Sequence, residues 1–371
     1  MTDSLSYAAE AAVINDLSAY MIAGRVRAAP DPRSETSGRT PAQGIQDGIE
    51  AERIGFRRVF VSERWNLKES AVLLGAVGAR TARIDLGTGL FNASARNPLH
   101  AAAFGSTMHA AFGPRFVMGL GRGDRYNLEM VGLRESTFAG LRDYVSIIRR
   151  LWSGEKVSYE GPAGKYPMLA LGDLHEGPHP QIWFGTFGLP RAAEVIAECM
   201  DGVLLVPNLT PDGTAAAVGR IRSACERIDR DPDSVRIAQC VVTAPELDEL
   251  ETLEICHARA LTYLQTPKWG EALCNINGWS TDTLDEIRAH PQLKSLDTIA
   301  DNLYHRSELV APARRIPAAW MKESCAMGTI PECVDTLQAF RDAGAHEIVT
   351  YGSTPGQNAD LATAWRSRAD N

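Results

Sequence analysis

The sequence predicts an α/β protein with the architecture of a (β/α)8 TIM barrel. Eight short segments are apolar or β-branched, helical segments separate them, and glycine or charge gathers where several of these strands end. Strands buried on both faces of a parallel sheet have this apolar character. Eight units suit a closed barrel better than a doubly wound sheet, which commonly has about five to seven strands. We therefore expect one barrel domain over residues 1–371, with a mostly helical insertion, 267–328, before the last βα unit.

The first half of the chain provides four predicted strands with helices between them. Thr40 followed by Pro41 indicates a helix start, because threonine caps helices and proline is favoured in their first turn. Phe138, Leu141 and Tyr144 begin the clearest amphipathic pattern in the chain. The predicted strands are 17–26, 57–63, 83–92 and 115–121, and the predicted helices begin near residues 41, 68, 98 and 138.

The second half continues the alternation, although its early part is irregular. Short extended pieces are expected around 156–171, before the next strand. The predicted strands are 180–185, 201–208, 234–244 and 346–352, and the predicted helices are 190–200, 211–228 and 331–343.

Composition excludes several functional classes. The formal charge of −8 and the pI near 5.6 disfavour a nucleic-acid partner, which would require a basic surface. No apolar run is long enough to span a bilayer, and the acidic N-terminal segment does not resemble a secretory signal. The seven cysteines form no CxxC pair, which indicates free thiols in a reducing compartment. We expect a cytoplasmic protein with no membrane partner.

Four strand ends carry unusual sequences, and barrel enzymes place their chemistry at such ends. The ends read "SERW" (62–65), "GTGLFN" (87–92), "GLGRGDRYN" (119–127) and "GTFGLP" (185–190). Glycines permit close approach of a ligand, and exposed N–H groups before a helix attract anions. Arg122 and Arg125 add positive charge. Two such turns indicate a phosphorylated cofactor, unless the glycines only form tight turns and the arginines are solvated.

Other site types are disfavoured by local chemistry. The HExxH match "HEGPH" (175–179) contains Gly177 and Pro178, which oppose the helix that a zinc motif requires, so we predict a polar loop and no metal. "GLGRGD" is not GxGxxG and follows the fourth strand, which argues against dinucleotide binding. No serine or cysteine nucleophile can be assembled with a histidine. An isomerase or aldolase barrel would require a strand-end lysine or a metal cluster, and neither is visible.

Four blocks in order resemble the luciferase-like monooxygenase superfamily, and more narrowly its deazaflavin (coenzyme F420)-dependent branch. The blocks are "EAERIGFRRVFVSERW", "LGTGLFNASARNP", "GPRFVMGLGRGD" and "LRDYVSIIRRLWSGEKVSYEG", within residues 40–210. The resemblance implies a barrel that binds F420 at the C-terminal face, with a non-prolyl cis bond at Gly89–Leu90. It implies cofactor-binding roles at Gly89, Leu90, Asn92, Gly121, Arg122, Gly123, Asn127, Gly185, Thr186 and Gly188.

The chain departs from its alcohol-oxidising relatives at the second strand end. Those relatives have an acid followed by histidine, whereas this chain has Glu63 and Arg64. Arginine cannot serve as a base near neutral pH, which favours a reductase that takes hydride from the reduced cofactor. Glu63 or Asp124 would then transfer the proton, and Arg64 would anchor an anionic group. The plainer interpretation makes Glu63 and Arg64 an ion pair that stabilises the barrel mouth.

Alternative functions share the same fold. A two-component monooxygenase would bind FMN in the same place, and a barrel that binds a cofactor without catalysis is a further alternative. The substrate is expected to be a small organic molecule, and the family implies a homodimer and a separate cofactor reductase. Loop 27–40 is a candidate lid, and Trp269, Trp279 and Trp320 either line a substrate site or form the core of the insertion.

Overall fold

Eight parallel strands close into a ring in the computed structural model of the chain, which describes residues 11–23, 39–64, 68–294, 296 and 298–368. The order around the ring is β1, β2, β3, β5, β8, β9, β10, β12 and back to β1. The predicted (β/α)8 barrel is therefore confirmed. The twelve strands are β1 Leu17–Tyr20, β2 Arg58–Val61, β3 Asp85–Thr88, β4 Phe91–Asn92, β5 Phe116–Gly121, β6 Val157–Gly161, β7 Gly164–Leu169, β8 Gln181–Thr186, β9 Gly202–Leu205, β10 Arg236–Pro245, β11 Cys325–Gly328 and β12 Glu347–Tyr351.

Helices surround the ring, and a group of short helices lies between β10 and the last βα unit. The α-helices are α1 Pro41–Ile54, α2 Ser70–Gly78, α3 Pro98–Phe112, α4 Arg125–Met130, α5 Phe138–Trp152, α6 Pro190–Cys199, α7 Pro211–Glu226, α8 Glu249–Thr252, α9 Ala258–Leu264, α10 Trp269–Asn277, α11 Asp282–Arg288, α12 Ala300–Leu303, α13 Val310–Ala313, α14 Ala318–Ser324, α15 Ile330–Asp342 and α16 Ala359–Ser367. Single turns of other helix types occupy Ala93–Ala95, Pro232–Ser234, Leu253–His257, Arg306–Leu309 and Gly356–Asn358. No helix in these described ranges is long and apolar enough to cross a membrane.

Local capping chemistry explains where the helices begin. The Thr40 side chain accepts from the backbone N–H of Gln43, and the Gln43 side chain returns the bond, which forms a capping box before Pro41. α15 begins at Ile330, one residue before the predicted start at Pro331, because Thr329 serves as its cap.

The structure differs from the sequence-based expectation at β1 and β11, and it confirms the extended pieces around 156–171. β1 ends at Tyr20, whereas the predicted strand covers residues 17–26. Residues 24–26 of that prediction lie outside the described residues. The extended pieces around 156–171 form an antiparallel hairpin, β6 and β7, outside the ring. β11 lies within the insertion 267–328, where no strand was expected, and it pairs in parallel with the upper part of β10. β10 has 10 residues, so its end extends far enough to accept this extra partner.

The interior of the ring is filled by side chains, as in other barrels of this type. Trp183 and Phe60 are fully buried there, with ring centroids 6.0 Å apart. The interior cluster comprises Tyr20, Phe60, Val117, Trp183, Leu204, Ala238, Cys240 and Val349.

A buried ionic network holds the opposite, N-terminal end of the ring together. The Glu347 carboxylate on β12 accepts from Arg58 on β2 at 3.0 and 2.9 Å, from Ser18 on β1 at 2.6 Å and from Arg236 on β10 at 2.6 Å. Arg58 also donates to Asp85 on β3 at 3.0 Å. Desolvation opposes ionisation of Glu347, but the two arginines and the serine outweigh it and lower its pKa.

Replacement of Glu347 by glutamine should destabilise the barrel by about 3–5 kcal/mol, because Arg58 would keep only Asp85 as a counter-ion while remaining buried and Arg236 would lose its ion pair with Glu347. The free energy of unfolding from urea titration measures this loss. The matched control is Glu160→Gln, which breaks an exposed pair with Lys165 and should change stability by less than about 1 kcal/mol. Equal losses in the two variants would contradict a structural role for the network.

Candidate active site

A cavity of about 620 Å³ opens at the C-terminal ends of the barrel strands. Its wall includes the ends of β1, β2, β3, β5, β8, β9 and β12, together with residues of the insertion. All the predicted site residues line it except Gly188; these are Glu63, Arg64, Gly89, Leu90, Asn92, Gly121, Arg122, Gly123, Asp124, Asn127, Gly185 and Thr186.

The Leu90 side chain lies on glycine backbone in the cavity wall. The peptide bond Gly89–Leu90 is cis, as the resemblance implied, and the Tyr20 hydroxyl donates to the Gly89 carbonyl at 2.9 Å. A Cβ atom at Gly185 would lie 2.8 Å from the Leu90 Cγ and closer still to its methyl groups. A Cβ at Gly121 would lie 3.3 Å from a Leu90 methyl. Glycine at these strand ends therefore makes room for the Leu90 side chain, which explains part of the glycine-rich pattern. We call the Leu90 side chain, where it lies over Gly121 and Gly185, the Leu90 shelf.

The turn after β5 combines a positive φ with a helix cap. Gly123 has φ 87°, a conformation that favours glycine. The Asp124 carboxylate caps α4 by accepting from the Asn127 backbone N–H at 2.8 Å and from its side-chain amide at 2.7 Å. Arg122 donates to the Ser136 carbonyl at 2.6 Å and lies over the ring of Phe138, on the cavity rim.

Arg125 does not belong to this wall, in contrast to the sequence-based interpretation. Its side chain is 72% exposed and pairs with Glu129 one helical turn later. The helical phase of α4 directs this residue outward, because Arg125 is the first residue of the helix that Asp124 caps. The positive charge of this turn that reaches the cavity therefore comes from Arg122.

The turn after β8 places Thr186 in the cavity wall and Gly188 behind it. Gly188 has φ 67°, and a Cβ there would lie 2.7 Å from the Ala217 side chain, so its role in the turn is conformational. α6 begins two residues later, and no side chain caps its N-terminus at Leu189. Leu189 and Ala192 both line the cavity, so this helix start faces it.

Glu63 lies in the wall, but its carboxylate is already engaged. The Ser70 hydroxyl donates to Oε2 at 2.6 Å, and Arg96 pairs with the same oxygen. The side chain is 5% exposed. Glu63 and Arg64 therefore do not pair with each other. Glu63 forms its ion pair with Arg96, and Arg64 forms one with Asp301. A carboxylate held by a guanidinium and a hydroxyl acts as an anchor for the strand end.

Arg64 joins the strand-two end to the insertion and to the turn after β5. It donates to the Asn302 side chain at 2.6 Å and to Asp301 at 3.3 Å. Asn302 in turn donates to the Asn127 side chain at 2.7 Å. This chain of hydrogen bonds brings three predicted residues, Asp124, Asn127 and Arg64, into one network through Asn302, which the sequence reading did not identify.

Several further polar residues line the cavity and were also missed. The Arg259 guanidinium donates to Asp301 at 3.0 Å and lies 5.1 Å from the ring centroids of both Tyr263 and Tyr351. Lys68 lies four residues beyond Arg64; burial, together with neighbouring guanidinium groups, lowers its pKa to about 7. The cluster of charge in "SERWNLKES" was a usable signal for Lys68, whereas nothing in the pattern of the insertion marks Asp301 or Asn302.

The three tryptophans of the insertion have different roles. Trp269 lines the cavity and packs against Tyr263 with centroids 5.6 Å apart. Trp279 and Trp320 stack on each other at 4.6 Å and are 8% exposed, which makes them core residues. Trp65 and residues 27–38 of the candidate lid lie outside the described residues. Segment 175–179 is a loop, as predicted.

Comparison with known proteins agrees with this geometry. Over 311 residues the chain is 27% identical to the phthiodiolone/phenolphthiodiolone dimycocerosates ketoreductase of Mycobacterium tuberculosis, covering 81% of this chain and 78% of the relative. Over 227 residues it is 30% identical to the F420-dependent glucose-6-phosphate dehydrogenase of Nakamurella multipartita, covering 57% and 62%.

The fold also matches solved structures. The coenzyme F420-dependent tetrahydromethanopterin reductase of Methanopyrus kandleri superimposes with a TM-score of 0.75 at 18% identity, covering 95% of this chain and 97% of that one. The model of the luciferase-like monooxygenase family matches residues 22–347. With the barrel, the C-terminal cavity and the position of Leu90 over Gly121 and Gly185 already established, this match over most of the chain shows that the protein belongs to the luciferase-like monooxygenase family.

Proposed function

We propose that this protein is an F420-dependent oxidoreductase that reduces a small organic substrate. The observation that carries the proposal is the cavity over the Leu90 shelf, with Thr186 and the uncapped start of α6 at one side. The relatives named above as F420-dependent support the choice of cofactor.

The residues present fit a flat ring with an anionic tail. Leu90, Phe184 and Leu204 provide apolar surface in the wall, against which an aromatic ring can pack. Thr186 and the N-terminus of α6 offer N–H and O–H donors to a phosphate. When bound, reduced F420 supplies the hydride for the reaction. The polypeptide has to position the substrate, exclude water and deliver a proton.

The direction of reaction follows from the residues beside the shelf. No histidine follows Glu63, and Arg64 cannot remove a proton from an alcohol near neutral pH. Reduction of an electron-poor C=C, C=N or C=O bond instead requires an acid. The Glu63 carboxylate binds Arg96 and Ser70. Within the described part of the chain, the Asp124 carboxylate accepts hydrogen bonds from Asn127 alone and has no arginine partner. We therefore assign proton delivery to Asp124 and an anchoring role to Glu63.

The assembly state and location of the protein also follow as proposals. We propose a homodimer in the cytoplasm, supplied with reduced cofactor by a separate reductase. All seven cysteines are free, which suits a reducing compartment. Light scattering on the purified protein tests the dimer, and a mass of one chain would refute it.

The first test is a titration of the protein with F420 and with FMN, each oxidised and reduced, followed by tryptophan fluorescence. We expect F420 to bind with a Kd in the micromolar range or below, and FMN to bind at least about tenfold more weakly. The reverse preference would support the two-component monooxygenase instead. Binding of neither would remove the proposed function.

Gly185→Ala should weaken F420 binding by about tenfold or more, because the added methyl group would displace Leu90 from its seat. The control is Gly75→Ala in α2, where a Cβ would meet no atom within 4 Å. Circular dichroism and thermal melting establish that both variants are folded. Unchanged cofactor affinity in a folded Gly185→Ala protein would show that the Leu90 shelf is not part of the cofactor site.

Asp124→Asn should lower kcat for substrate reduction by about 10²–10⁴-fold while F420 affinity changes little, because asparagine still caps α4 but cannot donate the same proton. Oxidation of reduced F420 by a panel of ketones and enones provides the assay. Glu63→Gln is the comparison, and it should act mainly through stability. A larger loss of kcat in the Glu63 variant, at equal stability, would reverse the assignment.

A further inference from the structure

Five cationic side chains line the cavity on the side of the insertion: Lys268 and four others that act on one another electrostatically. These four are Arg64, Lys68, Arg259 and Arg306. Arg64 and Arg259 share Asp301, at 3.3 and 3.0 Å. Arg306 donates to the Gly352 carbonyl, beyond the end of β12, at 2.8 Å. We call these four residues the cationic cluster.

The cationic cluster carries more positive charge than its acidic neighbours balance. Asp301 and Glu254 are the acids that act most strongly on it, which leaves an excess of two positive charges among the described residues when Lys68 is protonated. Two arginines already bind Asp301. The Lys68 ammonium has neither a hydrogen bond nor an ion pair with any residue in the described part of the chain. Positive charge held in a partly dehydrated cavity is costly unless an anion offsets it.

The cationic cluster is separate from the turn assigned to the cofactor phosphate. Arg64 and Lys68 follow β2, and Arg306 contacts the end of β12. β8, which precedes Thr186, lies three steps around the ring from β2 and three from β12. The two sites therefore lie on opposite sides of the barrel mouth, and the cluster faces the space that remains for the substrate.

We propose that the substrate carries an anionic group, a carboxylate or a phosphate, that binds to Lys68 and Arg306. Asp301 accepts hydrogen bonds from Arg64 and Arg259, so its charge offsets Lys68 and Arg306 only in part. This inference rests on the proposed function, because it describes the substrate side of the same cavity. An anchored anion would fix the reducible bond relative to Leu90 and Asp124.

Calorimetric titration of the F420-bound protein with sulfate and with succinate tests the proposal. The two probes represent a tetrahedral oxyanion and a carboxylate, and the tighter one indicates the natural group. We expect Lys68→Gln and Arg306→Gln each to weaken the preferred anion by about tenfold or more, and Lys68→Arg to retain binding. The matched control Lys165→Gln removes an exposed lysine and should leave the affinity unchanged.

Three outcomes would overturn the inference. The first is that neither sulfate nor succinate binds. The second is that Lys68→Gln binds the anion with unchanged affinity. The third is that the anion competes with F420, which would assign the cationic cluster to the cofactor tail. Absence of F420 binding in the preceding titration would remove the proposed function alone, because the anion titration can then be repeated on the cofactor-free protein.

The pH dependence gives a second readout. The pKa of Lys68 is about 7 in the free site, so its ammonium is lost as the pH rises through neutrality and anion affinity should fall. The ionisable groups that act on it are Arg64, Arg259, Asp301 and Arg306. His305, Tyr263, Tyr304 and Tyr351 line the same cavity. Sulfate keeps its charge between about pH 6 and about pH 9, whereas Lys68→Arg removes the titrating lysine. We expect sulfate affinity to fall across this range in the unaltered protein and to stay nearly flat in Lys68→Arg; parallel profiles would contradict a direct contact with Lys68.

Discussion

The fold depends on the Glu347 carboxylate at the N-terminal end of the barrel. Strands of a barrel must keep a fixed register for the ring to close, and this one carboxylate binds groups from β1, β2 and β10 while lying on β12. Arg58 extends the network to β3 and packs over the Trp183 ring, 4.7 Å from its centroid. Five neighbouring strands are thus joined at the N-terminal end, which leaves the C-terminal ends free to carry function.

At the C-terminal ends of the strands, the absence of side chains at glycine positions shapes the cavity wall more than charge does. The Leu90 side chain can lie across the wall because Gly121 and Gly185 have no side chains. The arginines of the same segments have mostly structural partners: Arg122 binds Ser136, Arg125 binds Glu129 and Arg96 holds Glu63. The glycine-rich turns therefore shape the cavity wall, and apart from Arg122 the cationic side chains of the cavity come from other segments of the chain.

The insertion adds Arg306 to the cationic cluster and forms one side of the cavity wall. Asp301 and Asn302 bind Arg64, and Asn302 also donates a hydrogen bond to Asn127 in α4, which follows β5. Arg259 lies against two tyrosine rings, Tyr263 from α9 and Tyr351 from β12. The insertion thus contributes part of the proposed substrate side, which is where specificity within one fold is expected to vary.

The sequence alone determined the barrel, the order of its eight strands and most of the cavity wall, because apolar periodicity, helix caps and strand-end glycines are local signals. It also identified the cis bond at Gly89–Leu90 through family resemblance. Only the tertiary structure decided the partners of Glu63 and Arg64 and the cluster around Lys68. These depend on contacts between residues up to 238 positions apart, as between Arg64 and Asn302. No local pattern encodes such a pairing, because it is set by how the insertion packs on the finished barrel.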